Sequence, residues 1–236
     1  MTVMPRDFFA RLSVAVAPEL LGCVLEHETA DGLVAVELTE VEAYTGATDP
    51  ASHAYRGKTA RNAVMFGPPG HAYVYFTYGT YFCVNLVCAA NGSASAVLLR
   101  AGRVIAGEDL ARARRTARAR RTARARPPRG VQGDGSPRER AVSFRDLARG
   151  PGRLCLALDI DRSLDGTDVC AADSPLRMRW PEAGTTDRSA EITVASGPRV
   201  GVSSAAEVPW RFWIEGEPTV SAYRPATPRR PKLVTP

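Results

Sequence analysis

Lysine is almost missing from this chain: of 31 basic residues only Lys58 and Lys232 are lysines. Chemistry that runs through an imine on a side-chain amine therefore has few candidates. Lys58 stands in a polar loop beside Arg56, without apolar neighbours to desolvate it and lower its pKa, and Lys232 stands in a proline-rich tail. Cysteine is sparse too. Cys23, Cys83, Cys88, Cys155 and Cys170 make five, an odd number with no CxxC pair. The three histidines do not fall at ligand spacing with them, so neither a zinc centre nor a disulfide framework is expected. The expectation is reduced thiols, buried as small hydrophobes in a cytosolic protein with no metal. Long apolar runs are missing as well. None approaches the ~20 residues a membrane helix needs. Met1 to Arg11 is polar and broken by Pro5, and Val14 to Leu21 is interrupted by Pro18 and Glu19, so no secretion signal is expected.

What is present suits one folded unit. The 236 residues are 44% hydrophobic, enough to bury a real core in a single domain spanning 1–236. Eighteen prolines and twenty glycines imply many turns and few long helices. The net charge of +6 is local in origin. Ala111 to Arg126 alone holds eight arginines and no acid, a distribution that suits a polyanionic partner.

Alternation and turn signals place most elements. Asp7-Phe8-Phe9-Ala10 reads as an N-capped first turn, and Pro18 to Leu21 as the start of a short helix. Gly22 to Glu28 and Leu33 to Glu42 read as strands around the turn Thr29-Ala30-Asp31-Gly32. Thr45 to Arg61 is a long polar loop, of a length that is usually functional. His71 to Thr77 and Tyr81 to Val87 read as strands hinged at Gly79, and Ala96 to Arg100 as a buried strand. Glu108 to Arg126 carries Ala-Arg-Ala-Arg-Arg-Thr twice. Its composition favours helix, but like charges crowd every face, so in isolation the segment should be frayed or disordered. It forms part of a basic low-complexity insertion at about 103–148, with Pro127 to Glu139 unstructured. Order returns at Phe144. Leu154 to Leu158 reads as a helix, Arg199 to Val202 and Trp210 to Glu215 as late strands, and the chain from about 225 as a mobile tail. Short strands, hairpins and few helices predict an α+β fold with a curved antiparallel β-sheet and short flanking helices.

Certain residues stand out chemically. Glu42 ends an alternating strand on the face of Val34, Val36, Leu38 and Glu40, and reads either as a solvated strand end or as a general base for water. Tyr44, Tyr73, Tyr75 and Tyr78 are either core aromatics or flat faces on which a ring can stack. Alternation sets Tyr73, Tyr75 and Thr77 on one side of their strand, with Val74, Phe76 and Tyr78 on the other. His53 is a lone loop histidine. Asn85, an amide between Val84 and Leu86, needs a partner if buried. Arg100 ends its apolar strand, as an ordinary surface cation would.

The segments Val41-Glu42-Ala43-Tyr44, Tyr73-Val74-Tyr75-Phe76-Thr77-Tyr78-Gly79, Asn85 and Val97-Leu98-Leu99-Arg100-Ala101 carry a resemblance in this order. Lesser echoes follow at Gly150-Pro151-Gly152-Arg153-Leu154-Cys155 and Arg199-Val200-Gly201-Val202. Together they resemble the 3-methyladenine DNA glycosylases of the alkyladenine type, from about Phe8 to Tyr223 and interrupted at 103–148. The resemblance implies roles. Glu42 would be the water-activating acid, with Arg100 helping to hold the water. Tyr44, His53 and Tyr75 would stack the flipped base, with Tyr73 orienting the histidine. Asn85 would lie under the purine and disfavour a guanine amino group. Tyr78 would wedge into the duplex where the nucleotide leaves. The arginine repeat has no counterpart in that pattern.

The function implied is hydrolytic excision of alkylated purines, and of deaminated or etheno purines, leaving an abasic site. It needs no cofactor and no lyase step. The partner would be double-stranded DNA containing damaged purines and no membrane, met by a monomeric, cytoplasmic, nucleoid-associated enzyme. Two rivals stay open. A non-catalytic damage-binding module would need the tyrosines but not an acid beside them. Another small-molecule hydrolase on a related fold would need neither the wedge nor the basic flank.

Overall fold

The computed structural model describes residues 2–77, 79–125, 142–181 and 192–226, with the side chains of the 108–125 helix described as far as Arg118. Two short helices open the chain, α1 (Arg6–Phe9) and α2 (Ser13–Glu19). Asp7 lies inside α1 and caps nothing, and Pro18 lies in the last turn of α2 rather than at a helix start. Strands β1 (Val24–Thr29) and β2 (Gly32–Tyr44) then form the expected hairpin. The polar loop follows, with one 3-10 turn at Gly46–Thr48 and another beyond it at Ala63–Phe66. Next come β3 (Ala72–Thr77), β4 (Tyr81–Cys88), β5 (Ser95–Ala106), α3 (Glu108–Ala125), β6 (Ala148–Arg149), α4 (Pro151–Leu158), β7 (Leu176–Arg179), β8 (Val194–Gly197) and β9 (Arg211–Ile214).

The fold is α+β, built on one open antiparallel sheet of nine strands among the described residues. Its main path runs β3-β4-β5-β2-β1-β7, with β6 on β5 and β9 joining β2 to β8. β2 is the central strand. Its first half pairs with β1, its second half pairs with β9, and β5 runs along its other edge. Burial on both faces explains why Val34 to Ala43 are all buried, the glutamates included. Gly102 lets the β2 and β5 backbones close, since a Cβ there would stand 2.4 Å from the Glu37 carbonyl oxygen.

The two sheet faces differ. Leu38, Val41, Ala43, Val74, Val84, Leu86, Val97 and Leu99 belong to the main core, with α2 and α4 packed on it. Residues directly opposite in an antiparallel ladder share a face. Glu42 pairs with Leu98, Leu98 with Asn85, and Asn85 with Tyr73. One row across β2, β5, β4 and β3 therefore carries an acid, an amide and a phenol on the second face.

The structure departs from expectation at further places. β5 continues through Ala106, so residues 103–106 belong to the sheet and not to the basic insertion. The arginine repeat from Glu108 to Ala125 is helical. Arg199 to Val202 is a turn rather than a strand, with Gly201 at φ +72°. Strands β6, β7 and β8 had no expectation. The expected disorder of Pro127 to Glu139, and the tail beyond 226, lie outside the described residues, as does Tyr78.

Candidate active site

On the second sheet face, under the loop between β2 and β3, lies a cavity of about 870 Å³. Its walls include Tyr44, His53, Tyr73, Tyr75, Asn85, Leu98 and Arg100, together with Val200 and Gly201 of the late turn. The structure thus brings together every site residue expected from the sequence apart from Tyr78 and, in one respect, Glu42.

Glu42 is not a solvated strand end. It is wholly buried and meets the cavity through three partners that line it. Its Oε2 accepts from the Tyr44 hydroxyl at 2.8 Å. Its Oε1 accepts from the Val200 N–H at 2.7 Å and lies 3.2 Å from a guanidinium nitrogen of Arg100. A buried carboxylate needs such partners. Arg100 is not a surface cation either. The β2–β5 register shifts around Thr39 and Arg100, and a bulge of this kind re-aims side chains. Arg100 Nε donates to Glu40 Oε1 at 2.7 Å.

Glu40 is the hub of that network. Its Oε1 also accepts from Arg211 Nε at 2.7 Å, and its Oε2 from the Ser221 N–H at 2.7 Å. Burial pushes the Glu40 carboxyl up, but Arg100, Arg211 and the Ser221 amide outweigh it and hold the group below its ordinary value. Burial works against the charge on Arg100, yet Glu42 and Glu40 raise its pKa further, so it stays a cation. Tyr44 is raised well above its usual range, by burial first and then by the adjacent Glu42 charge. It therefore remains a donor to the carboxylate.

The aromatic wall is ordered internally. Tyr73 and Tyr75 stack, with centroids 5.5 Å apart and planes at 27°. His53 meets Tyr75 edge-on, with centroids 4.5 Å apart, and its Nδ1 lies 3.2 Å from the Tyr73 hydroxyl. Burial lowers the His53 pKa, and Arg61 lowers it further, so the imidazole is neutral near pH 7. Burial likewise raises Tyr73 and Tyr75. Asn85 is buried, and its amide donates to the Tyr73 carbonyl at 3.2 Å, which leaves its oxygen for the cavity.

Sequence reasoning missed Arg199 and Asp49. Arg199 is 1% exposed and Asp49 is 0% exposed. They form a bidentate pair, with Nη1 to Oδ2 at 2.6 Å and Nη2 to Oδ1 at 2.9 Å, and Nη1 also reaches the Ala43 carbonyl at 3.0 Å. The guanidinium lies 4.6 Å from the Tyr44 ring centroid and 5.2 Å from that of Trp210. One turn therefore braces the Tyr44 ring through Arg199 and holds the Glu42 carboxylate through the next amide. Asp49 lies in the long polar loop and Arg199 about 150 residues later, so no local pattern joins them.

Among the described residues, no cluster of His, Cys, Asp and Glu could hold a metal ion, and no helix is long and apolar enough to cross a membrane.

Comparison with known proteins gives a family. A family model described as methylpurine-DNA glycosylase matches residues 7–218. Three similar proteins carry the name "Putative 3-methyladenine DNA glycosylase". One from Streptomyces avermitilis is 51% identical, covering 97% of this chain and 95% of its own. One from Leifsonia xyli is 47% identical, covering 93% and 92%. One from Methanocella arvoryzae is 41% identical, covering 95% and 98%.

Proposed function

The chain belongs to the methylpurine-DNA glycosylase family, and from that premise we propose that it excises alkylated purines from duplex DNA by base flipping and hydrolysis. The observation that carries the reading is the Glu42 carboxylate, buried directly behind Tyr44, Arg100 and Val200, which line an aromatic cavity.

The protein engages phosphate charge and swings the damaged nucleotide out of the stack, a step that costs a few kcal/mol and least for a weakly paired lesion. Tyr78 fills the gap left in the duplex. The base enters between Tyr44 on one side and Tyr75 with His53 on the other. The neutral His53 does not repel a cationic purine. Asn85 sits where a 2-amino group would project. Glu42 takes a proton from a water beside C1′, and Arg100 helps to hold that water. The oxygen–C1′ bond forms and the C1′–N bond breaks, with the electron pair leaving on the base. An alkylated base that starts positively charged leaves neutral, so the lesion supplies much of its own activation. The products are free base and an abasic site.

A buried acid paired with Arg100 has a use in this hydrolysis and none in a module that only binds. Lys58, the lysine among the described residues, does not line the cavity, and the reading includes no imine and no strand-cleaving lyase step. The same pocket size admits deaminated and etheno purines, and the enzyme acts as a cytoplasmic, nucleoid-associated monomer. Duplexes each carrying one lesion, incubated with enzyme and scored for alkali-labile abasic sites, test the reading. Release of 3-methyladenine supports it, and release of no base from any alkylated duplex ends it.

A further inference from the structure

The arginine helix is the prominent feature that this chemistry leaves unused. Its pattern is inverted relative to an ordinary surface helix. Ala113 and Ala117 are exposed, while Arg112, Arg114, Arg115 and Arg118 are half-buried and Ala111 is fully buried. Three of these four arginine heads donate to protein acceptors. Arg112 donates to the Val142 carbonyl and to Glu108. Arg114 donates to the Ala157 carbonyl at 3.2 Å and to the Thr29 hydroxyl at 2.8 Å, tying α3 to α4 and to the first hairpin. Arg118 donates to the Thr80 carbonyl at 2.6 Å.

Thr80 closes the turn between β3 and β4, with its N–H on the Thr77 carbonyl at 3.0 Å. Tyr78 lies within that turn in sequence. The next residue, Tyr81, packs on Gly152 at the start of α4, where a Cβ would stand 2.7 Å from its ring. The turn is thus held from two sides, by Gly152 under Tyr81 and by Arg118 on the Thr80 carbonyl. An arginine that grips phosphate would turn its guanidinium toward solvent, whereas this half-buried one directs Nη2 at a backbone oxygen.

We propose that the first half of α3 is a buttress for the β3–β4 turn, with Arg118 the positioning residue that holds the Thr80 end of the turn to which Tyr78 belongs in sequence. The inference rests on the reading of Tyr78 as the wedge. The test uses the full-length protein and a duplex with 2-aminopurine beside one excisable lesion. Flipping amplitude and single-turnover excision are read at saturating enzyme, where affinity no longer matters, and the salt dependence of binding is read on undamaged duplex. Arg118→Ala is expected to lower the saturating excision rate about tenfold, the effect of one charge-assisted hydrogen bond. Arg118→Lys, which can still donate to Thr80, restores most of it. Arg114→Ala, cut from α4 rather than from the turn, lowers melting temperature with little effect on flipping. The salt slope of Arg118→Ala stays at the wild-type value. A slope reduced by about 0.9, the signature of one lost phosphate contact, with an unchanged saturating rate overturns the buttress. So do equal losses in Arg114→Ala and Arg118→Ala, or no change in any readout. Tyr78→Ala separates the two layers. If it leaves flipping intact, the wedge reading fails and takes the buttress with it. If it abolishes flipping while Arg118→Ala does not impair it, only the buttress fails.

Discussion

Replacing Arg199 by methionine probes the unit that joins base stacking to the carboxylate. The substitution keeps an unbranched apolar stem and deletes the guanidinium. Asp49 is then buried with its Oδ1 on the Ala51 N–H at 3.0 Å and no countercharge from Arg199. Breaking a buried pair by removing one partner costs about 3–5 kcal/mol. At roughly 2–4 °C per kcal/mol for a chain of this size, the melting temperature should fall by roughly 6–20 °C. Asp49→Asn removes the stranded charge, so the double variant should recover part of the loss, with a coupling of about 0.5–3 kcal/mol. Function should follow geometry. Tyr44 loses the group behind its ring, and the Val200 amide loses its anchored neighbour. Lesion affinity should therefore weaken, by no more than the ~1–3 kcal/mol typical of losing one stacked aromatic. Thermal melts of the four proteins in the cycle, with lesion-duplex titrations below the lowest melting point, supply the numbers. Strict additivity of the two substitutions together with unaltered lesion affinity would refute the argument.

Two further outcomes follow from the pocket and its hub. Asn85→Ser should raise release of 7-methylguanine relative to 3-methyladenine, because the shorter side chain leaves room for a 2-amino group, and an unchanged ratio in competition assays would count against the steric account. The Glu40 carboxyl is held below its ordinary value of 4.5, so its contribution to stability is fully present above that pH and is lost as the pH falls through the depressed folded-state value. Glu40→Gln should start less stable, with Arg211 deprived of its carboxylate and Arg100 left with Glu42 alone, and should lose less on acidification. Denaturant midpoints between neutral and acid pH measure the difference, and parallel curves would remove Glu40 from the acid response.

The strands were legible where one face is apolar and the other is not. The hairpin around Thr29 to Gly32, the β3–β4 pair and the final strand near Trp210 all announced themselves by alternation and turn residues. β2 ran on to Tyr44 because β5 and β9 flank its second half, a tertiary fact that alternation does not encode. β5 passed Arg100 because bulges and Gly102 interrupt its pattern without ending it. The arginine segment, which should fray in isolation, is helical in the fold, where Arg112, Arg114 and Arg118 reach the carbonyls of Val142, Ala157 and Thr80, far from it in sequence. The Arg199 turn looked like a strand because valines flank Gly201, and the positive φ of that glycine decided otherwise. The pocket residues were recognisable as a set through their resemblance to a family. Their supports were not, because Glu40, Asp49, Arg199, Arg211 and Ser221 converge from separate parts of the chain.

The central claim is that Glu42 activates water for base release. Glu42→Gln keeps the size of the side chain and an oxygen to accept from Tyr44 or Val200, but loses the basic carboxylate. Single-turnover excision on a duplex with one alkylated purine, measured at saturating enzyme beside lesion affinity, isolates that change. The account predicts a rate lower by ~10²–10⁴ with affinity nearly intact, and excision by the purified variant at the wild-type rate would contradict it.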